Sequence, residues 1–227
     1  GMVELWCKLR NRGYSRCLES LWRVLKREGL IAVKEKDPYT PKPYQQMTHP
    51  GERVQIDVKV VPRKCIADPK LRLFQYTAID EYSRYRILGA YPEQTTYSSY
   101  QFLLRVVDEF RRKGVKVECV QTDNGFEFTN RLSYNESRHL SKFEEALSLL
   151  NIQYKKIRPY TPRHNGKVER SHREDQKRFY DTHSFYSLAD FGEQLAVHQR
   201  NSNSLPMRPL HWNSPKEFLK SFTVQHV

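Results

Sequence analysis

Apolar and polar residues alternate most regularly at positions 54–60, VQIDVKV, where Val54, Ile56, Val58 and Val60 interleave with Gln55, Asp57 and Lys59. A period of two is that of a half-buried strand, with Asp57 on the face opposite the valines and held on rigid backbone. Two more strands are predicted near 71–80 and 84–91, joined by a turn at Asp80 to Ser83. The period then changes: Phe102, Leu103, Val106, Val107 and Phe110 form the apolar stripe of an amphipathic helix. The apolar run VKVECVQTD predicts a strand that stops at Asp123, because Asn124 and Gly125 are a turn pair. Ser141 and Glu144 make a capping box ahead of Ala146, Leu147, Leu149 and Leu150, and the strand IQYKKI follows. KVERSHREDQKRFY has neither proline nor glycine and reads as a helix with Glu169 in its first turn, where Glu169 and Arg173 share a face. SLADFGEQLAVHQR reads as another helix.

From residue 51 the order is strand, strand, strand, helix, strand, helix, strand, helix, which predicts an α/β fold: a mixed five-stranded sheet flanked by helices. Residues 3–33 form a small helical segment in which Leu18, Leu21, Trp22 and Leu25 recur at helical spacing and Gly29 ends the run. Residues 34–50 carry Pro38, Pro41, Pro43 and Pro50 with Lys34, Lys36 and Lys42, a stiff, extended linker. The core is predicted over 51–185 and a C-terminal extension, helical and then Pro-rich, over 186–227, wrapping the core.

Three acids occupy contrasting settings on this scaffold: Asp57 within a strand, Asp123 at a strand end that opens to solvent, and Glu169 on a helix. Two strand carboxylates and one helix carboxylate suit Mg²⁺ (or Mn²⁺), a hard cation that takes oxygen ligands and keeps positions for water and phosphate. A pair of such ions clamps the attacking and leaving oxygens of an in-line phosphoryl displacement. Singly, each acid reads as a solvated surface group or a cap; the trio with its flanking words outweighs that reading.

Those words, PGERVQIDVK, AIDEYSRY, QTDNGFEF and RPYTPRHNGKVERSHR, resemble the catalytic core of DDE-type bacterial insertion-sequence transposases, which share the retroviral integrase fold. The similarity runs from about Pro50 to Arg178, and QRNSNSLPMRPLHWNSPKEFL carries a weaker echo of the family's tail. The resemblance implies a ribonuclease H-like strand order, catalytic roles for Asp57, Asp123 and Glu169, and two bound Mg²⁺ or Mn²⁺ ions. It also implies that LRNRGYSRCLESLWRVLKREGL closes a helix-turn-helix, against which a plain packing pair of helices competes evenly. One departure stands out: 45 residues separate Asp123 from Glu169, about ten more than is usual for the group. The surplus is assigned to RLSYNESRHL, residues 131–140, where loop-closure entropy makes insertion cheap.

Charge sharpens the choice of partner. With 39 Lys and Arg against 26 Asp and Glu the chain carries +13, as a binder of polyanions does. Between Lys155 and Arg178 nine basic residues face three acids, and this segment holds Glu169. Arg158, Arg163, Lys167, Arg170, Arg173 and Lys177 are therefore the candidate contacts to double-stranded DNA, although a solvated helix face is the ordinary reading of a charge run. Tyr160 has packing as its default and stacking as the alternative. His164 and His172 flank Glu169, and since Mg²⁺ prefers oxygen they read as phosphate or solvent contacts. Asp80 and Glu81 read as turn residues rather than ligands. Cys7, Cys17, Cys65 and Cys119 form no CxxC pair, and Cys119 reads as a buried small hydrophobe. No stretch reaches membrane-spanning length, no signal peptide shows, and Gly1 with Met2 reads as an expression scar, so a bacterial cytoplasm is expected.

The sequence thus predicts a transposase core that cuts transposon ends and joins the freed 3′-hydroxyl to target DNA, acting as a homo-oligomer on DNA. A purely hydrolytic ribonuclease H-like nuclease and an inactive, domesticated DNA-binding protein are the alternatives.

Overall fold

The alternation at residues 54–60 becomes β1 (Val54–Val60), the middle strand of a five-stranded sheet. The computed structural model describes residues 2–31, 46–130, 139–157 and 165–225, divided into a unit of residues 1–45 and a unit of residues 46–227. In the second unit β2 (Phe74–Asp80) pairs antiparallel with β1, and β3 (Arg86–Tyr91) antiparallel with β2. On the other side β4 (Cys119–Thr122) and β5 (Gln153–Lys156) run parallel to β1, giving the order β3-β2-β1-β4-β5. This is the ribonuclease H-like α/β arrangement.

Side chains of alternate parity leave the sheet on opposite faces. On one face Val54, Ile56, Tyr76, Ala78 and Ile87 pack under α3 (Thr96–Arg112) and α4 (Lys142–Leu149), with Phe102, Leu103, Val106, Phe110, Phe143 and Leu147 as the helical side of the core. Close approach of α3 requires glycine at position 89, where a Cβ would lie 2.9 Å from the Phe102 ring. Caps fix the helix starts: Thr95 accepts from Ser98 N, and Ser141 and Glu144 complete the reciprocal capping box read from the sequence.

The opposite face is covered by α5 (Gly166–Asp175) and α6 (Leu188–Asn203). α5 runs into one wide helical turn, Gln176–Tyr180, that buries Phe179 and Tyr180. These two join Leu73, Leu88, Phe185, Phe191 and Leu195 in a second apolar cluster that ties α6 to the sheet. A last helix, α7 (Pro215–Gln225), occupies part of the stretch read only as Pro-rich. Its signal was present: Ser214 and Glu217 cap each other across Pro215, a residue suited to a first helical turn. Leu219 joins the main core, and Phe218 and Phe222 lie 5.3 and 5.8 Å from the Tyr82 ring.

In the first unit α1 (Met2–Arg10) and α2 (Leu18–Arg27) pack together with Leu21 buried and Trp6 Nε1 donating to Arg16 O at 3.0 Å. Gly29, at φ +68°, follows the end of α2 in the left-handed conformation that glycine takes most readily. Most of the predicted linker and of the surplus at 131–140 lies outside the described residues.

Candidate active site

Strand register brings the first two acids together. Gln55 on β1 pairs with Gln121 on the parallel β4, so carrying that register two residues on sets Asp57, in the middle of β1, beside Asp123, just past the end of β4. β4 stops at Thr122 because Asp123 starts a turn: its Oδ1 accepts from Gly125 N at 3.0 Å, and Asn124 Nδ2 donates to Ile157 O at 2.9 Å. Asp57 Oδ1 accepts from Val58 N at 2.9 Å.

The third acid arrives through α5, whose path is set by the polar face of β1. Gln55, Asp57 and Lys59 project on that face in succession. Gln55 Oε1 accepts from Val168 N at 3.2 Å, Asp57 Oδ2 lies 3.5 Å from His172 Nδ1, and Lys59 Nζ donates to His172 O at 3.1 Å. The first turn of α5 is thereby laid over the strand and carries Glu169 toward the two aspartates. Buried Glu81, in the turn after β2, adds a further tie by accepting from Arg53 and Gln55 at 2.6 and 2.7 Å and from Lys167.

Electrostatics follow from this crowding. Burial first, then the charges of Asp123, Glu127 and Glu169, push the Asp57 carboxyl up to about 7, against the lowering effect of the Val58 N–H. Glu127 was not among the residues picked out in the sequence. It is nearly buried, accepts from Gln94 Nε2 at 2.6 Å, and lines a recess of about 370 Å³ with Gln94, Thr95, Thr96 and Phe126. Among the described residues no three His, Cys, Asp or Glu side chains are gathered tightly enough to hold an ion by themselves. The acids converge on the β1–β4 region of the sheet without closing on a point.

Residues 47–162, more than half of the chain, match the family model described as Integrase core domain, and residues 150–205 match a second model of that description. The chain belongs to the integrase core domain family. It is 26% identical over 225 residues to "Putative integrase ORF3" of Spiroplasma virus SpV1-C74, covering 96% of this chain and 61% of that protein. It is 28% identical over 188 residues to "Putative transposase for insertion sequence element IS5376" of Geobacillus stearothermophilus, covering 82% and 44%. The chain thus spans less than two thirds of the length of these curated relatives. Among solved structures it resembles a chain of the simian T-cell lymphotropic virus intasome in complex with PP2A regulatory subunit B56 gamma (TM-score 0.60, 17% identity, 81% of this chain, 60% of that one). It also resembles the BIV integrase catalytic core domain (0.56, 19%, 78%, 99%) and the HTLV-2 integrase catalytic core domain in complex with magnesium, trimeric form (0.53, 18%, 75%, 97%). At these identities the shared property is the fold.

On this integrase core the basic candidates separate. Arg170, Arg173 and Lys177 are exposed on α5 and the turn that follows it. Lys167 is turned inward instead: its ammonium donates to Glu81 O at 2.8 Å and reaches Glu81 Oε2 at 3.3 Å, and burial first, then Arg84, lower it to about 8. His172, read from the sequence as a phosphate or solvent contact, is corrected to a neutral group wedged between Asp57 and Thr77, lowered by burial to about 4. Arg158, Tyr160, Arg163 and His164 lie outside the described residues. Asp80 and Glu81 are structural, as read: Asp80 accepts from Gly51 N and from Ser83. No described helix is long and apolar enough to cross a membrane.

Proposed function

We propose that this chain is the catalytic core of a DDE-type transposase, a polynucleotidyl transferase that cuts DNA ends and joins the freed 3′-hydroxyl to target DNA. The observation that carries this reading is the placement of Asp57, in the middle of β1, beside Asp123, just past the end of the parallel β4, with α5 laid over β1 and bearing Glu169. Membership of the integrase core domain family supports the reaction class.

The donor set fits a hard divalent cation. Asp57 and Asp123 each commit one oxygen to a backbone N–H, the second oxygen of Asp57 faces His172 Nδ1 at 3.5 Å, and burial first, then the nearby acids, raises the Asp57 carboxyl. Asp57, Asp123 and Glu169 would hold Mg²⁺ or Mn²⁺, two ions in all, and a structural neighbour is a complex with magnesium. When bound, such ions supply activation of water or of the 3′-hydroxyl and stabilisation of the leaving oxygen.

The protein's own contribution is placement and charge. Backbone N–H groups of Val58 and Gly125 fix two carboxylates, and Gln55 and Lys59 fix the helix that bears the third. Arg170, Arg173 and Lys177 face outward on the same helical stretch, where they hold phosphates of double-stranded DNA by charge. The +13 net charge favours the same polyanion. Since two transposon ends and a target must meet, a homo-oligomer on DNA belongs to the proposal.

End-labelled oligonucleotides carrying the element's termini test the reading with Mg²⁺ or Mn²⁺ present. Joined products are the expected outcome. Cut products alone would assign a ribonuclease H-like nuclease, and bound, uncut DNA an inactive DNA-binding protein.

A further inference from the structure

Beneath α5 the sheet carries an unbroken series of polar contacts that starts far from the acids and ends at one of them. Its origin is Asp175, fully buried at the end of α5, with Arg86 Nη1 and His198 Nε2 at 2.7 and 2.8 Å from Oδ1. Asp175 Oδ2 accepts from Gln75 Nε2 at 2.8 Å. The same amide nitrogen donates to Thr77 Oγ1 at 2.9 Å, and Gln75 Oε1 accepts from the Tyr180 hydroxyl. Thr77 Oγ1 is 3.0 Å from His172 Nε2, and His172 Nδ1 is 3.5 Å from Asp57 Oδ2. Register explains the last two contacts, because Asp57 and Thr77 are directly opposite across β1 and β2 and the imidazole bridges them.

The direction of donation along this series is set at its buried end. An ionised carboxylate only accepts, so the Gln75 amide must present its N–H₂ to Asp175. Its second N–H then goes to Thr77 and its oxygen to Tyr180. A threonine hydroxyl that accepts from Gln75 has one proton left, and His172 Nε2 is the neighbour in line for it. An imidazole that accepts at Nε2 carries its proton on Nδ1, which faces the Asp57 carboxylate.

We propose that Gln75 and Thr77 are positioning residues for Asp57: the buried Arg86–Asp175 pair orients them, and they hold His172 as the Nδ1–H tautomer that aims a hydrogen-bond donor at the Asp57 carboxylate. The role deepens the proposed function and rests on Asp57 being catalytic. Such outer partners of a reactive carboxylate are worth about 10- to 100-fold in activity.

The test reads the tautomer directly, by long-range ¹H–¹⁵N NMR of the full chain labelled at histidine, with His172→Gln assigning the signal. Nδ1–H is expected in the wild type, and a wild type carrying Nε2–H overturns the proposal without any variant. Thr77→Val keeps the side-chain shape and removes the hydroxyl; it should mix the tautomers and slow cutting about 10- to 100-fold at unchanged DNA affinity. Thr77→Ser should restore both. An unchanged tautomer or wild-type cutting in Thr77→Val also overturns it. The two readings fail separately: Asp57→Asn that cuts at the wild-type rate removes the site, and the positioning role with it. An Nε2–H His172 beside an inactive Asp57→Asn removes the relay and leaves the site.

Discussion

The two faces of the same three strands, β1, β2 and β3, are built on opposite principles. Under α3 and α4, Val54, Ile56, Tyr76, Ala78 and Ile87 make an apolar layer with essentially no exposure. On the other face, beside the apolar cluster of Leu73, Leu88, Phe191 and Leu195 that holds α6, the positions Gln55, Asp57, Lys59, Gln75, Thr77 and Arg86 are polar, nearly all of them bonded to a side chain or to the backbone of a helix. Apolar packing is non-directional and tolerates small shifts, whereas a buried polar layer must satisfy each donor and acceptor or lose stability. The polar face fixes where α5 lies, and α5 carries Glu169.

That contrast can be broken most visibly at the acids. Asp123→Asn or Glu169→Gln should reduce cutting by at least about 100-fold, since even outer partners of a metal ligand cost 10- to 100-fold. DNA binding in a mobility-shift assay should persist, because the basic surface is untouched; near wild-type cutting in either variant would remove that acid from the site.

Stability should respond next, and for different reasons on the two faces. Phe102→Ala opens a cavity in the apolar layer and should cost about 3–5 kcal/mol in urea denaturation. Arg86→Ala leaves Asp175 as a buried charge without its guanidinium partner and should cost about 3–5 kcal/mol as well. The pH separates them. Burial alone would raise the Asp175 carboxyl, but the His198 hydrogen bond, Arg86 and Gln75 outweigh it and hold the group well below the usual carboxylate range. Its contribution is present above the unfolded value near 4 and is lost as pH falls further. Acid should therefore narrow the gap between wild type and Arg86→Ala while leaving that for Phe102→Ala in place.

Asp57 has the opposite sign. Its folded carboxyl titrates near 7 against an ordinary value of 3.8, so the metal-free fold holds that proton more tightly than the unfolded chain and loses stability as pH rises from 4 to 7. Asp57→Asn should stabilise the metal-free protein at pH 8 by at most about 4 kcal/mol. Millimolar Mg²⁺ should raise the melting temperature of the wild type and leave the variant nearly unmoved. A variant that melts below the wild type at pH 8 without metal would contradict the account of Asp57 as a carboxyl raised by burial and by neighbouring acids.

The smallest expected effect is at Arg173, exposed on α5. Arg173→Ala should leave stability within about 0.5 kcal/mol. It should lower the slope of log affinity against log salt by about one, similarly across sequences. An unchanged slope with reduced stability would make Arg173 an intramolecular partner.

By itself the sequence determined most of the elements and singled out three acids as candidates. Period-two alternation at 54–60, the turn pair after Asp123 and the Ser141–Glu144 box are local signals, and each became the strand, strand end or cap it predicted. α7 was legible too, in Ser214 and Glu217, but proline density around it masked the cap. Only tertiary structure decided which polar residues are exposed and which face inward. Lys167 and Arg173 sit on the same helix and carry the same charge, yet one is bound to Glu81 and the other is exposed, because α5 rotates to put Val168 and Ser171 against the sheet. His172 and Asp175 on α5 are 95 to 100 residues from their partners Thr77 and Gln75 on β2, and the connection exists only once β1 and β2 pair and α5 lies across them. Hydrogen-bond direction depends on who the neighbour is, and composition and periodicity carry no record of neighbours 100 residues away.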